Sequence, residues 1–288
     1  RLDKRLPTGA ITGDGRTFRL GMSPRVAFVA APLPELSAKL MYGRAFRAPN
    51  VRETLVDAEF DETEQEYPFA RGSSSVGAER IDTIESEVRW DLGDVFGGAV
   101  SGYYSTIERE IDKVTPPNEY QNLPGGLTSW GFELLVDSQV GWFKAELAYA
   151  FTHAKYRVAP TSPYTGRKQY EFPPHMLKGR LQIEPTEGFN MHLTGELYGK
   201  RPRKEWALNS GLGDGPAFGL LHASMQVVGI GGLDGLGLTV GIRNILNTQY
   251  EVGVYRDEVD RLKGGEARYP NGVEMPGRNL RVGLEWTF

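Results

Sequence analysis

The sequence predicts an all-β fold in which about eleven antiparallel strands form part of the wall of a membrane-spanning β-barrel. Three observations predict it. Apolar and polar residues alternate with a period of two along most of the chain. The connections between these segments are short and long in strict turn. Prolines other than Pro24 fall outside the segment cores, as expected for strands inside a sheet.

The C-terminal segment shows the alternation most clearly. In Leu280–Phe288 the even positions are apolar or aromatic, whereas Arg281 and Glu285 lie on the opposite face. Leu236–Arg243 and Phe143–Thr152 alternate in the same way. The N-terminal segments are noisier, so their faces are harder to assign. The other predicted strands are Phe18–Phe28, Leu36–Gly43, Ile84–Trp90, Gly98–Thr106, Trp130–Asp137, Leu177–Glu184, Met191–Tyr198 and Leu221–Val227.

The connections indicate which end of the strands faces outward. Bacterial transmembrane barrels have short periplasmic turns and long extracellular loops. A soluble β-sandwich or lectin is the alternative, but it gives no reason for long loops at one end only. The short connections are Ala31–Glu35, Asp91–Val95, Ser138–Trp142, Pro185–Gly188 and Gly229–Gly235, and the long ones are Ala48–Arg80, Glu108–Gly126, Ala154–Pro174, Gly199–Pro216 and Thr248–Gly277.

The two faces of the predicted strands differ in chemistry. One face carries charged residues, and each Lys or Arg would cost about 2–4 kcal/mol at the middle of a bilayer. We therefore expect that face to line a wet lumen. The other face carries aromatic residues near the strand ends, as in the interfacial girdles of barrels. The predicted lumen residues are Glu85, Glu87, Arg89, Glu133, Lys144, Glu146, Lys178, Arg180, Glu184, Glu196 and Arg243.

Composition excludes several classes of protein. No run of apolar residues approaches the roughly 18 that a spanning helix needs. The net charge of −4 leaves no basic footprint for nucleic acid. Absence of cysteine excludes disulfides and thiol catalysis. The chain begins at Arg1 without a visible signal peptide, so we expect a mature or truncated piece.

Neither a catalytic nor a cofactor or metal site is expected. No phosphate-binding loop or nucleophile elbow occurs. The acidic run Asp57–Glu66 lacks the spacing of an EF-hand and is read as a charged loop. His192 and His222 fall on lumen faces of neighbouring strands, where a shared polar contact is possible. They lack a third ligand, so we interpret them as lumen-lining residues.

Four segments, in order, resemble TonB-dependent outer-membrane receptors. They are Ser23–Arg25, Tyr42–Glu53, Arg243–Glu251 and Pro276–Phe288. The resemblance runs from about Phe18 to the end, so residues 1–288 are assigned to the C-terminal portion of such a barrel. The family's barrel has about 22 strands around a plug. The resemblance therefore implies a partial barrel without the plug domain and TonB-contacting box, whose open edge needs partner strands.

The resemblance implies a function in the bacterial outer membrane, not an enzyme. It implies energised uptake of a scarce, bulky nutrient, most often a ferric siderophore and less often cobalamin, haem, another metal chelate or an oligosaccharide. Alternatives are a passive porin-like channel or an outer-membrane enzyme. Implied partners are outer-membrane lipid and lipopolysaccharide, the ligand, the TonB complex through the missing N-terminal region, and the barrel-assembly machinery through the last strand.

Ligand-binding candidates lie in the long loops and at their bases. Recognition of an anionic chelate favours arginine and lysine beside aromatic rings. Solvated loop residues or lipopolysaccharide contacts are the alternative interpretation. The candidates are Arg44, Arg47, Tyr164, Arg167, Tyr170, Arg201, Arg203, Trp206, Tyr255 and Arg256, with Tyr156, Arg157, Lys168 and Lys204 beside them.

Overall fold

One antiparallel sheet of eleven strands dominates the structure, which confirms the predicted fold class. The structure is a computed structural model that describes residues 22–55, 71–93, 95–114, 119–157, 172–202, 214–233, 235–252 and 273–286. The elements in chain order are β1 Arg25–Leu33, β2 Leu36–Arg47, α1 Val51–Leu55, β3 Glu79–Asp91, β4 Phe96–Glu108, β5 Ile111–Val114, β6 Glu119–Asn122, β7 Gly126–Val140, β8 Phe143–Arg157, β9 His175–Ile183, β10 Phe189–Tyr198, β11 Phe218–Val228, a 3₁₀ turn Ile230–Gly232, β12 Leu236–Arg243, β13 Glu251–Val252, β14 Val273–Glu274 and β15 Asn279–Trp286.

The sheet is a meander in which each wall strand pairs with the next wall strand along the chain. The order is β1-β2-β3-β4-β7-β8-β9-β10-β11-β12-β15. Two small hairpins, β5 with β6 and β13 with β14, lie in the long connections. Among the described residues, β1 and β15 each pair with one neighbour. They are therefore the two open edges of a wall that is not closed.

Several predicted strand limits are wrong because the strands continue beyond the alternating region. Strand β7 extends four residues before the predicted start at Trp130 and three beyond Asp137. Hydrogen bonding continues at both ends of β7, but the adjacent polar residues Thr128 and Ser129, and Ser138 and Gln139, interrupt the alternation there. The turns are correspondingly tight, at Pro34–Glu35 and Gly141–Trp142. The part of the first predicted strand before residue 22 lies outside the described residues, as does Phe288.

Helix α1, which follows β2, was not predicted from the sequence. Asn50 and Glu53 form a reciprocal capping pair at its start. The Asn50 side-chain oxygen accepts from the Glu53 amide at 2.9 Å, and the Glu53 carboxylate accepts from the Asn50 amide at 2.8 Å. In the described part of the chain, no helix is long and apolar enough to span a membrane.

The register confirms that the two faces of the sheet differ. On the face that we call the lipid face, Leu40 lies opposite Phe28, and Leu238 lies opposite Leu284. Leu284 is 75% exposed. Of the described hydrophobic residues only six are buried, so protein does not cover this face. Its apolar surface requires a non-polar surrounding medium.

The opposite face, the lumen face, carries the predicted charges. Lys39 lies opposite Glu87, and the two side chains form an ion pair at 3.1 Å. Arg180 lies opposite Glu146, and Lys178 lies opposite Glu196. Glu184 follows the end of β9, and its carboxylate accepts hydrogen bonds from Gln182 and Asn190 of the lumen face at 2.6 and 2.7 Å.

Aromatic residues mark the two borders of the lipid face. Tyr104 lies opposite Trp130 near the long loops, and both rings are exposed. Phe96 lies eight residues earlier on β4, at the end of the short turns. That separation corresponds to about 26 Å along the strand. For a strand tilted by about 40°, it corresponds to about 20 Å across the membrane, close to the apolar band of about 25 Å in outer-membrane barrels.

Gly131 permits a close contact between a tyrosine ring and the backbone on the lumen face. A Cβ at position 131 would lie 2.2 Å from the carbonyl oxygen of Phe151 and 2.9 Å from the Tyr103 ring. The Tyr103 hydroxyl lies 3.0 Å from the Thr152 hydroxyl, so the ring crosses β7 towards β8. The contact therefore links three adjacent strands.

We expect Gly131→Ala to lower the free energy of unfolding by about 1–3 kcal/mol, because the new methyl group must displace backbone. Gly102→Ala is the matched control, since its nearest neighbour would be the Ser86 hydroxyl at 3.7 Å. We expect that control to change stability by at most about 0.5 kcal/mol. Urea unfolding of the full-length protein in lipid vesicles measures both. Equal effects of the two substitutions would contradict the assignment.

Candidate functional site at the long-loop end

Three aromatic rings stack on the lumen face where β10 and β11 meet the long loops. Tyr198, the last residue of β10, lies opposite Phe218, the first residue of β11. Their ring centroids are 4.8 Å apart with an interplanar angle of 27°. Tyr250, which follows β12, continues the stack at 4.8 Å from Phe218 and 26°. We call Tyr198, Phe218 and Tyr250 the aromatic stack.

Charged groups lie directly beside the aromatic stack. The Lys178 ammonium lies 6.0 Å from the centre of the Tyr198 ring, within the range of a cation–π contact. The Tyr198 hydroxyl donates a hydrogen bond to the Glu196 carboxylate. His222 Nε2 lies 4.0 Å from that carboxylate. The side chains of Glu196 and His222 remain 22% and 27% exposed, so a solute in the lumen can reach them.

The two lumen histidines are diagonal neighbours. His192 lies opposite Ser224, whereas His222 lies opposite Thr194. His222 Nδ1 accepts a hydrogen bond from the Asn244 amide at 3.1 Å. Among the described residues, no group of three or more His, Cys, Asp and Glu side chains is placed to hold a metal ion.

A buried asparagine turn fixes the segment that carries Tyr250. Asn244 is 3% exposed and has a φ of 50°, a left-handed conformation that asparagine tolerates better than most residues. Its side chain accepts from the Thr248 amide and donates to the Thr248 carbonyl, both at 2.9 Å. The Thr248 hydroxyl donates to the Gly219 carbonyl at 2.8 Å. The turn therefore joins the Tyr250 segment to β11.

Arg201, a predicted ligand contact, is 7% exposed and makes internal contacts. Its guanidinium donates to the Glu251 carbonyl at 2.6 Å. Its backbone pairs with Gly215 through hydrogen bonds of 3.0 and 2.8 Å. Arg201 therefore links the loop after β10 to the loop after β12, beside the aromatic stack. Its role in ligand binding stays a prediction.

Arg47, another predicted contact, lies on β2 and pairs with carboxylates of β3 and α1. Its Nε and Nη2 donate to the Glu79 carboxylate at 2.6 and 2.7 Å, and its Nη1 donates to Glu53 at 2.9 Å. Glu79 also accepts from the Ile111 amide at 2.7 Å. We call Arg47, Glu53 and Glu79 the loop clasp, because it joins β2, β3, α1 and β5.

Of the remaining predicted residues, the structure describes Arg44, which does not lie with the aromatic stack. Arg44 lies on the lipid face, paired with Asp82 at 2.7 Å. The following seven candidates lie outside the described residues, and their ligand contacts stay predictions: Tyr164, Arg167, Tyr170, Arg203, Trp206, Tyr255 and Arg256.

Glu110 is a largely buried carboxyl group beside the loop clasp. Burial first, and then the nearby carboxylates of Asp112 and Glu79, raise its pKa to about 7, against a smaller lowering by Arg47. One of its oxygens is buried without a hydrogen-bond partner in the described part of the chain. The protonated form of Glu110 therefore fits this position better than the charged form.

The aromatic stack was not predicted from the sequence. Tyr198 falls on a polar face, which concealed it among the charged positions. Phe218 lies before the predicted start of its strand, and Tyr250 lies in a predicted loop. The available signal was an aromatic residue on the polar face at the end of a predicted strand, as at Tyr198.

A family model described as "TonB dependent receptor-like, beta-barrel" matches residues 5–245. No curated protein matches by sequence. Solved structures similar to this chain include the FrpB iron transporter of Neisseria meningitidis (16% identity, TM-score 0.64), a ferric enterobactin receptor mutant of Pseudomonas aeruginosa (16%, 0.68) and the siderophore receptor PirA of Acinetobacter baumannii (13%, 0.66). Each alignment covers 92% of this chain but only 39%, 40% and 41%, respectively, of those chains. The chain therefore spans about two fifths of their length.

We expect the stability of the loop clasp to depend on the protonation of Glu110. Its folded-state pKa of about 7 lies above the ordinary value of 4.5, so its stabilising contribution is complete below about pH 4.5 and is lost as pH rises through about 7. Hydrogen exchange of the Ile111 and Leu123 amides, corrected for intrinsic rates, should therefore accelerate from about pH 5 to about pH 8.

Glu110→Gln should keep this protection nearly constant over the same pH range, because it has no charge to bury. Glu108→Gln, whose carboxylate pairs with Arg80 on the other face, is the control and should behave like the unsubstituted protein. A pH dependence that persists in Glu110→Gln would show that another group is responsible.

Proposed function

The chain belongs to the family of TonB-dependent receptor β-barrels, and on that basis we propose that it is part of a receptor for energised uptake of a ferric siderophore. It is an outer-membrane protein, as the family is. The family and the similar structures are receptors and transporters rather than enzymes. Coupling to a TonB complex belongs to the proposal, because the chain spans about two fifths of those receptors.

The aromatic stack beside Lys178 is the observation that carries the proposed substrate. Iron chelates present oxygen-rich, often anionic groups, and many contain flat aromatic rings. Offset stacking on Phe218 and Tyr250 suits such rings, and each ring pair contributes about 0.5–1.5 kcal/mol. The Lys178 ammonium suits the negative charge of the chelate. The site also lies below the long loops, where a ligand from outside would enter.

The predicted loop residues complete this proposal. Arg167, Arg203 and Arg256 would add cations above the aromatic stack, and Tyr164, Tyr170, Trp206 and Tyr255 would add rings. The loop clasp would fix the base of the loop that follows β2. The similar structures are named for iron, ferric enterobactin and other siderophores, which supports a metal chelate as the class of ligand.

We expect Phe218→Ala in the full-length receptor to weaken ferric siderophore binding by about 2- to 13-fold, equivalent to one lost ring contact. Phe218→Tyr should restore most of the affinity, because the ring remains. Equilibrium binding across a panel of ferric siderophores, followed by tryptophan fluorescence, measures both. If the receptor bound cobalamin or a glycan but no iron chelate, the proposed substrate would be wrong.

Lys178→Gln tests, in the same binding experiment, how much the positive charge of Lys178 contributes to affinity. It should weaken binding by about 2- to 10-fold and reduce the dependence of binding on salt. Lys144→Gln is its matched control, because Lys144 also lies on the lumen face but at the short-turn end. Equal losses in the two variants would indicate a general effect of lumen charge and would remove Lys178 from the site.

A further inference from the structure

His222 lies between the two outer rings of the aromatic stack, beside the group that supports each of them. On one side, its Nε2 atom lies 4.0 Å from the Glu196 carboxylate, which accepts a hydrogen bond from the Tyr198 hydroxyl. On the other side, its Nδ1 atom accepts a hydrogen bond of 3.1 Å from the backbone amide of Asn244, the residue that fixes the Tyr250 segment. One imidazole ring therefore contacts the supports of both tyrosines.

The hydrogen bond from Asn244 determines where the His222 ring carries its proton. A ring nitrogen that accepts a hydrogen bond carries no proton, so the neutral ring holds its single proton on Nε2. That N–H group lies on the side of the Glu196 carboxylate. A positively charged ring carries a proton on both nitrogens, and its Nδ1 proton would oppose the amide of Asn244. The bond to Asn244 therefore requires a neutral His222.

The Asn244 amide depends on His222 because Asn244 is only 3% exposed. A buried amide that loses its acceptor is costly, so we expect the turn to rearrange when Nδ1 is lost or protonated. The Asn244 side chain is hydrogen-bonded to both the amide and the carbonyl of Thr248, two residues before Tyr250. A change at His222 therefore reaches the Tyr250 ring through this turn.

We propose that His222 is a positioning residue that couples the two outer rings of the aromatic stack and holds them in the binding geometry while its ring is neutral. The Nε2 side positions Tyr198 through Glu196, and the Nδ1 side positions Tyr250 through Asn244. Protonation of the ring strengthens the contact with Glu196 and breaks the contact with Asn244. The role in ligand binding rests on the proposed function, whereas the coupling between the rings does not.

Several charged or titratable side chains flank His222 on the described lumen face. They are Glu196 and His192 on β10, Lys178 on β9 and Arg243 on β12. Glu196 favours the charged ring, whereas the positive charges of Lys178 and Arg243 disfavour it. Variants of His222 leave all four groups in place, so the differences among those variants isolate the imidazole ring.

The coupling is tested by fluorine NMR of the full-length receptor with fluorinated tyrosine incorporated. The two signals are assigned from Tyr198→Phe and Tyr250→Phe. As acid protonates His222, followed through the NMR signals of its own ring, the Tyr198 and Tyr250 signals should both shift with the same midpoint. Tyrosine signals that do not follow the protonation of His222 would overturn the proposal.

His222→Asn and His222→Gln separate the two sides of the ring. An asparagine side chain places an acceptor oxygen near the position of Nδ1, whereas a glutamine side chain places a donor near the position of Nε2. His222→Asn should therefore keep the Tyr250 signal in place and shift the Tyr198 signal, and His222→Gln should do the opposite. Neither variant should retain the pH dependence. Equal effects of the two variants on both signals would also overturn the proposal.

Binding of a ferric tris-catecholate separates the coupling from the proposed function. His222→Gln should weaken this binding by about 2- to 13-fold, the loss of one hydrogen bond, and His222→Asn should restore most of it. His192→Gln is the matched control on the same face, opposite Ser224, and should change neither the tyrosine signals nor the affinity. If the tyrosine signals behave as expected but no iron chelate binds, the coupling stands and the proposed substrate is wrong.

Discussion

Backbone hydrogen bonding without water is the constraint on which the rest of the structure depends. An amide or carbonyl group in hydrocarbon that lacks a partner costs several kcal/mol, so a spanning sheet must pair every strand on both sides. The meander meets this requirement between β1 and β15. The two outermost strands do not meet it among the described residues. Further strands are therefore needed at both edges, and the family's larger barrel is the natural source of them.

The same pairing determines where function can lie. Once neighbouring strands are in register, every second side chain faces the lumen and the others face lipid. Tyr198 and Phe218 stack because they occupy opposite positions at the ends of β10 and β11. Asn244 positions the segment that carries Tyr250, because its side chain is hydrogen-bonded to both the amide and the carbonyl of Thr248. Arg44 and Arg47 show the effect of parity, because three positions along one strand separate a lipid-facing from a lumen-facing arginine.

The sequence predicted well what depends on side-chain period. Strand β12 has the predicted limits, because its alternation continues to both ends. Strand β7 was predicted too short, because adjacent polar residues, Thr128 with Ser129 and Ser138 with Gln139, interrupt the alternation near its ends. The start of helix α1 has a readable signal in Asn50 and Glu53, whose side chains cap it reciprocally. The contact between Tyr198 and Phe218 depends on the register of two strands 20 residues apart, which alternation alone does not determine.

The most direct test of the account measures which face meets lipid on strand β7. The chain has no native cysteine, so a fluorophore can be attached at single introduced cysteines in the full-length receptor. Leu134 and Leu135 are adjacent and identical, but the register places them on opposite faces. In vesicles with brominated acyl chains, the label should be strongly quenched at 134 and weakly at 135. Equal quenching at the two positions, or the reverse order, would contradict the assigned faces.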